Sequence, residues 1–376
     1  MLLAAAVLFA SFSTPRAVQI LVIGGQYAQE HLQIYDTDDP TQTRSLDTKL
    51  EKGIQHHEAA TIHDGTQTII VGGQQNDSES GQFARSKDVW IFDANTMSIN
   101  QGISMLLVRS GGGMASIGDD TYICGGVEGV FDGEKRCVHK TCEVLRGGQI
   151  HWMPSESLKE ERGTFVMVSM GGRLYAIGGE VFGRGDCHET LPEQLILDTV
   201  EVYNPDTRTW SYTGSLLRRR FAHGAAVLGN NIYVCGGHYF SASGSEIAGC
   251  ERYDPMSGVW SNIADSVRPR ANLAMAAYGD FVYVIGGSTI PNDNTAKENY
   301  HDADHSLISV EEYNIRTRNW TLRTCTLEYP TYAPAAVILQ KSVPKAEKLV
   351  AANNGQSMHL HLLFTHALAT LLCFLF

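Results

Sequence analysis

Residues 220 to 262 read RFAHGAAVLGNNIYVCGGHYFSASGSEIAGCERYDPMSGVWSN, four short apolar runs parted by turns. Gly224 to Leu228 and Ile232 to Val234 flank Gly229-Asn230-Asn231, the pattern of a hairpin. Gly236-Gly237 and a polar loop follow, then a third run from Cys250 to Tyr253, a turn at Asp254-Pro255, and a fourth run around Trp260. A four-stranded sheet this small cannot bury both of its faces alone. It must stack on copies of itself.

The copies are marked by glycine pairs at Gly24-Gly25, Gly72-Gly73, Gly125-Gly126, Gly178-Gly179, Gly236-Gly237 and Gly286-Gly287, each ending an apolar run such as LVIGG or YVCGG. Successive pairs lie 48, 53, 53, 58 and 50 residues apart. A second marker keeps phase with the first. A large residue of the third run is followed seven positions later by another: Phe92 and Ile99, Leu145 and Trp152, Tyr203 and Trp210, Tyr253 and Trp260, Tyr313 and Trp320. Six glycine pairs in register with a second marker, at a period of about 50, make the chain resemble the kelch repeat family over about residues 18 to 340.

That resemblance implies an all-β protein, a six-bladed kelch β-propeller with one four-stranded sheet per repeat around a central channel. The ends suggest how the ring closes. Val18 to Ile23 reads as a second strand with no first strand before it, and Ala333 to Leu339 as a first strand with no second after it. Their pairing would complete one blade from both ends of the chain and remove the open edges.

Outside residues 18 to 340, two apolar segments suggest processing. Residues 1 to 17, MLLAAAVLFASFSTPRA, read as a signal peptide cleaved after Ser13 or Ala17, with an n-region lacking Lys and Arg. Residues 341 to 361 form a spacer containing the small residues Ala351 and Ala352, and residues 362 to 376, LLFTHALATLLCFLF, form an apolar tail. That order resembles a signal for a glycosylphosphatidylinositol anchor, and fifteen residues are short for a membrane span. The expected location is secreted or the outer face of the plasma membrane, with any membrane contact made through the C-terminal anchor. Without the leader the reading becomes cytoplasmic.

Cysteine positions bear on the same point. Cys124 and Cys235 fill the slot just before a glycine pair, and Cys142 and Cys250 the slot three before the third-run marker. Both slots change to cysteine in the same two repeats. Second and third strands of a blade are antiparallel neighbours, so disulfides Cys124–Cys142 and Cys235–Cys250 are expected, the alternative being four buried thiols. Cys137 and Cys187 lie in loops of adjacent blades and are candidates for a further bridge, which leaves Cys325 over. Sequons occur at Asn76-Asp77-Ser78 and Asn319-Trp320-Thr321. Asn76, in a long loop, is the preferred acceptor; Asn319 overlaps a packing tryptophan.

Counting back sixteen residues from each glycine pair gives His56, Arg109, Arg162, Arg220 and Arg270, with Pro330 in the equivalent place before the closing strand. A constant offset in a cyclic repeat sets these side chains at one level of the ring. Four guanidiniums at a channel mouth would form a positive patch on a chain of net charge −12. The resemblance implies that such arginines hold carboxylates of an acidic peptide, through a planar fork that donates two parallel hydrogen bonds. Equally, each could be a structural residue paired with an acid inside the repeat. Phe221, His223, Tyr239, Phe240 and Tyr332 are candidates for added contacts.

Other chemistries find less in the sequence. Kelch propellers include copper radical oxidases, but no spacing here singles out their Tyr, His and Cys set, and His301-Asp302-Ala303-Asp304-His305 reads as a polar loop. No metal or cofactor is expected. An exported sialic acid mutarotase, using arginines for the sugar carboxylate, is the alternative function. Repeats such as VEVYNPDTRTW look like the animal adaptor type, which favours protein binding. Such adaptors carry BTB and BACK domains that recruit a cullin ligase, and 17 residues precede the first strand here, so that role is not carried over. The negative charge argues against nucleic acid. The expectation is a propeller that binds a protein or acidic peptide on an arginine-lined face.

Overall fold

The repeats close into four-stranded antiparallel sheets in the computed structural model, which describes residues 18–25, 30–39, 43–50, 54–55, 57–62, 65–76, 83–128, 137–184, 189–240, 246–289, 306–323 and 327–339. The blade of the opening stretch, blade 5, shows why. Its first strand, Gly224–Leu228, pairs with its second, Asn231–Cys235, through the two-residue turn Gly229-Asn230, with Gly229 at φ 61°. Asn231 is thus the first residue of the strand rather than part of the turn. The third strand, Cys250–Asp254, pairs with the second and with the fourth, Val259–Asn262. The β-branched and aromatic residues of the second strand are buried on both faces, as in every blade.

Six such sheets occur among the described residues. Blade 1 is built from both ends of the chain. Its second strand, Gln19–Ile23, pairs on one edge with His31–Asp36 and on the other with Ala335–Leu339, from Gln19 opposite Leu339 to Ile23 opposite Ala335. The first strands of consecutive blades are neighbours around the axis, that of blade 1 lying between those of blades 6 and 2. The ring is closed.

The hydrophobic core is divided in the same way. Six apolar clusters lie one at each interface between neighbouring blades: Leu21 and Phe92 between blades 1 and 2, for example, and Tyr35 and Tyr283 between blades 6 and 1. The second sequence marker belongs to this packing. Tyr203, Tyr253 and Tyr313 stand opposite Trp210, Trp260 and Trp320 across the outer strand pair, with ring centroids 5.2, 5.2 and 5.1 Å apart. Each indole N–H donates to a backbone carbonyl of the preceding blade: Trp210 to Glu156 at 2.9 Å, Trp260 to Gly214 and Trp320 to Ala264 at 2.8 Å. An aromatic pair of this kind adds about 1 kcal/mol beyond its area.

The expected cross-strand disulfides are present. Cys124 is opposite Cys142 and Cys235 opposite Cys250, with Cα atoms 4.1 and 4.2 Å apart. Cys137 is also disulfide-bonded. Cys187, Cys325, His56, residues 301–305, the leader at 1–17 and the segments 341–361 and 362–376 lie outside the described residues.

Strand direction fixes which loops share a face. First strands run from one face and second strands return to it, so the loops joining strands two to three and those joining one blade to the next lie together. The tight turns joining strands one to two and three to four lie on the opposite face. The entry loops of the blades therefore share one face.

Candidate functional site

The glycine pairs explain what the arginines do. At Gly178, φ 58°, a Cβ would lie 2.6 Å from the backbone oxygen of Arg220, the residue that enters the next blade. Gly179 N–H donates to that same oxygen at 2.9 Å. The pattern repeats from Gly126 to Arg162 and from Gly237 to Arg270. The glycine pair is the docking point for the following blade's entry loop, and no side chain fits between them.

The arginine side chain then turns inward. Arg109, Arg162, Arg220 and Arg270 are 0–1% exposed. In each, Nη1 donates to the carbonyl of its own blade's first glycine, Gly125, Gly178, Gly236 or Gly286, and to a carbonyl at the start of the third strand, Thr141, Thr199, Gly249 or Ser309. In each, Nη2 meets a third-strand glutamate that is itself 0–2% exposed: Glu143 at 2.7 Å, Glu201 at 3.0 Å, Glu251 at 2.6 Å, and Glu311. Burial pulls the Arg109, Arg220 and Arg270 guanidiniums below their ordinary value, and the adjoining glutamate works in the other direction. The carboxylate that these arginines hold is the protein's own. They line no exposed face, and an incoming acidic peptide or sugar carboxylate would find their Nη donors engaged.

Two members of the expected set are displaced by register. The first hairpin of blade 2 joins Ile62 to Gln67 across four residues, whereas that of blade 3 joins Ile117 to Asp120 across two. The arginine-equivalent place in blade 2 is therefore Ile54, whose oxygen accepts Gly25 N–H at 3.1 Å, and His56 falls two residues past it. In blade 1 the place is taken by Thr331, not Pro330: Thr331 O accepts Gly287 N–H at 2.9 Å. The glutamate changes with the arginine. Opposite the same second-strand position stand Gln33 in blade 1 and Trp90 in blade 2. An ion pair in four blades becomes a polar pair in one and an apolar pair in another. This covariation was available in the sequence and is the signal that identifies a strut.

The glutamates also hold the loops. Glu251 accepts Leu217 N–H and Arg218 N–H, at 2.7 and 3.2 Å, and Glu311 accepts Val267 N–H and Arg268 N–H, at 2.6 and 3.2 Å. Glu143 does the same for Leu106 and Leu107, and Glu201 for Lys159 and Glu160. One internal clamp therefore displays a different pair of side chains in each of four blades. Leu217 is 55% and Val267 52% exposed. Arg218, Arg219 and Arg268 are exposed and make no ion pair among the described residues. Phe221, stacked on His238 at 5.1 Å, joins this entry loop to the blade 5 loop that carries exposed Tyr239 and Phe240. His223 is buried.

The centre of the ring is narrow. Two residues past the arginine place come Gly111, Thr164, Ala222, Asn272 and Ala333, all with φ between 48° and 58°. Thr164 N–H donates to Gly111 O, Ala222 to Thr164, Asn272 to Ala222 and Ala333 to Asn272, at 2.6 to 2.9 Å. This belt of backbone hydrogen bonds links five blades around a cavity of about 80 Å³, also lined by His57, Glu58 and His223. Removal from bulk water pushes the Glu58 carboxyl well above its usual range. The space suits a few water molecules rather than a sugar, since small-ligand sites run to about 300 Å³ or more.

A sequence profile of the Kelch motif matches residues 161–217 and 219–266, the entry loops and sheets of blades 4 and 5. The matched motif and the six-bladed ring make the chain similar to the kelch-repeat propellers. Among curated proteins, Kelch-like protein 25 of Xenopus tropicalis is 28% identical over 236 residues, which cover 62% of this chain and 37% of that one. Kelch-like protein 33 of Homo sapiens is 32% identical over 126 residues, 33% of this chain and 21% of that one. Kelch-like protein 26 of Mus musculus is 25% identical over 204 residues, 52% and 30% of the two chains. This kelch propeller thus spans less than two fifths of the length of these relatives.

Proposed function

We propose that this kelch propeller is a protein-binding module whose docking surface is the loop-bearing face, centred on the entry loops of blades 5 and 6. The observation that carries the reading is the fixed clamp with a variable display. The same buried arginine and glutamate hold Leu106-Leu107, Lys159-Glu160, Leu217-Arg218 and Val267-Arg268 at one level. A rigid frame presenting different side chains is how binding loops are built.

The ligand is an acidic peptide segment with an apolar anchor. Arg218, Arg219 and Arg268 are cations without an ion-pair partner among the described residues, and Leu217, Val267, Tyr239 and Phe240 supply apolar area beside them. Arg218 Nη1 and Asp265 Oδ1 flank Gly249, each 4.0 Å from where its Cβ would lie, so the two entry loops form one continuous sector. An acidic ligand also suits an otherwise anionic chain, because the sector attracts what the rest of the surface repels.

Exposure to an oxidising compartment, secreted or at the cell surface, is part of the same proposal. The two cross-strand disulfides and the bonded Cys137 support it.

The test is binding to an array of Asp/Glu-rich peptides by the wild type, by R218E/R219E/R268E, and by M256D, whose residue lies on the opposite face and is 88% exposed. The triple variant should lose binding with its melting curve unchanged, M256D should retain it, and wild-type binding should weaken with salt. Equal binding by the wild type and the triple variant would overturn the assignment.

A further inference from the structure

We propose that Asn319, in the outer strand of blade 6, is an acceptor for an N-linked glycan. The middle residue of this sequon is a packing tryptophan, yet the fold leaves the acceptor and the hydroxyl on the other side of the strand. The strand Asn319–Arg323 alternates exposed and half-buried residues, so that Asn319 and Thr321 point one way and Trp320 the other. Trp320 is turned inward, its ring 5.1 Å from Tyr313 and its N–H on Ala264 O. Asn319 and Thr321 are exposed, and neither side chain makes a hydrogen bond among the described residues. The amide nitrogen and the hydroxyl that the modification requires are both presented on the exposed side of the strand.

The surroundings accommodate a large polar substituent. The strand is the last in its sheet, so its outer edge has no partner strand among the described residues, and a glycan at its first residue would shield that edge from pairing with another chain. Asn319 follows directly on the turn between the third and fourth strands, and so lies on the face opposite the proposed docking surface. Asn76 ends the short strand Gln74–Asn76 in a loop between second and third strands, on the docking side. A glycan at Asn319 leaves peptide capture unobstructed.

The reaction is a group transfer without oxidation or reduction. Asn319 Nδ2 attacks C1 of the reducing-end sugar of a polyprenyl-diphosphate-linked oligosaccharide. The N–C1 bond forms, the C1–O bond to the diphosphate breaks, the amide proton passes to a base of the transferase, and polyprenyl diphosphate leaves. The inference rests on the oxidising-compartment reading, since the transferase works where disulfides form.

The full chain would be expressed in animal cells as wild type, N319Q, T321A, T321S and N76Q, with and without an established secretory signal in place of residues 1–17. Peptide N-glycosidase digestion in heavy-oxygen water then marks each glycosylated Asn as labelled Asp. Labelling at Asn319 in wild type, T321S and N76Q, lost in T321A and N319Q, is the expected result. If Asn319 remains unlabelled even behind the exogenous signal, while the protein is secreted, the inference is overturned. Labelling at Asn319 only behind the exogenous signal supports the acceptor and defeats the compartment reading instead.

Discussion

Arg162 and Glu201 form an ion pair 39 residues apart in the chain, Nη2 to Oε1 at 3.0 Å, with both side chains at 0% exposure. A charge so placed is stable only while its partner is present. The equivalent Arg220–Glu251 pair gives the cleanest test. Thr in place of Arg220 leaves Glu251 buried and uncompensated, and should cost about 3 to 5 kcal/mol in urea unfolding. Blade 1 fills the two places with Thr331 and Gln33, so R220T/E251Q should recover more than half of that loss. A double variant no more stable than R220T would show that the pair does not act as a unit.

Burial first, and Arg220 second, hold the His223 imidazole down at about 3. The folded state therefore keeps His223 neutral while the unfolded chain, at about 6.5, takes up a proton. Stability contributed by the neutral ring is present above pH 6.5 and is lost as pH falls towards 3, at up to about 1.4 kcal/mol per pH unit. Glu58 acts with the opposite sign, because its raised carboxyl favours folding as pH falls. A difference measurement cancels it. Phe165 and Leu273 fill the equivalent place in blades 4 and 6, so H223F should fit, and its stability advantage over wild type should grow between pH 6.5 and 5. A constant difference across that range would refute the assignment.

The disulfide Cys235–Cys250 closes a loop of 15 residues, for which chain entropy predicts about 3 kcal/mol. Reduction should lower the melting temperature of the wild type. C235I/C250V copies the pair Ile177–Val200 that occupies these places in blade 4, and with C124I/C142V added the remaining sensitivity to reductant should fall further. Labelling of Cys235 by a thiol reagent in the unfolded, unreduced protein would show the bridge to be absent.

Gly178 tests the inter-blade contact directly. In G178A the methyl would meet Arg220 O at 2.6 Å and His223 Cε1 at 3.0 Å, at a φ of 58°. A loss of at least about 1 to 3 kcal/mol is expected, against little effect for G258A, whose turn has open space around it despite a similar φ.

The fold was legible because its strongest constraint is a steric one. A carbonyl at 2.6 Å admits only glycine, so Gly178 and its counterparts mark every blade whatever else varies. Tyr203 and Trp210, locked as cross-strand partners, mark the outer half in the same way. The arginines were legible as a repeated position but not as to role, since a fixed offset follows equally from a buried strut and from a displayed ligand contact. What separates them is Glu143, Glu201, Glu251 and Glu311, present in the same four blades as the arginines and replaced together with them. His56 was misplaced because an offset counted from the glycine pair absorbs any change in hairpin length, and blade 2 has two extra residues in that hairpin. The exposed Arg218, Arg219 and Arg268 carried no signal of their own: they stand out only once the neighbouring guanidiniums are seen to be engaged.

The pairing of Gln19–Ile23 with Ala335–Leu339 sets the timing of assembly. As the chain leaves the ribosome, blades 2 to 6 can form in order, but the inner edge of the earliest strand waits for more than 300 residues to be made. Until then the nascent protein is an arc with a sticky end, exposed to the pairing errors that long-range strand partners invite. Translation arrest anywhere before residue 335 would release that arc, so the final strand acts as the latch on which the whole synthesis depends.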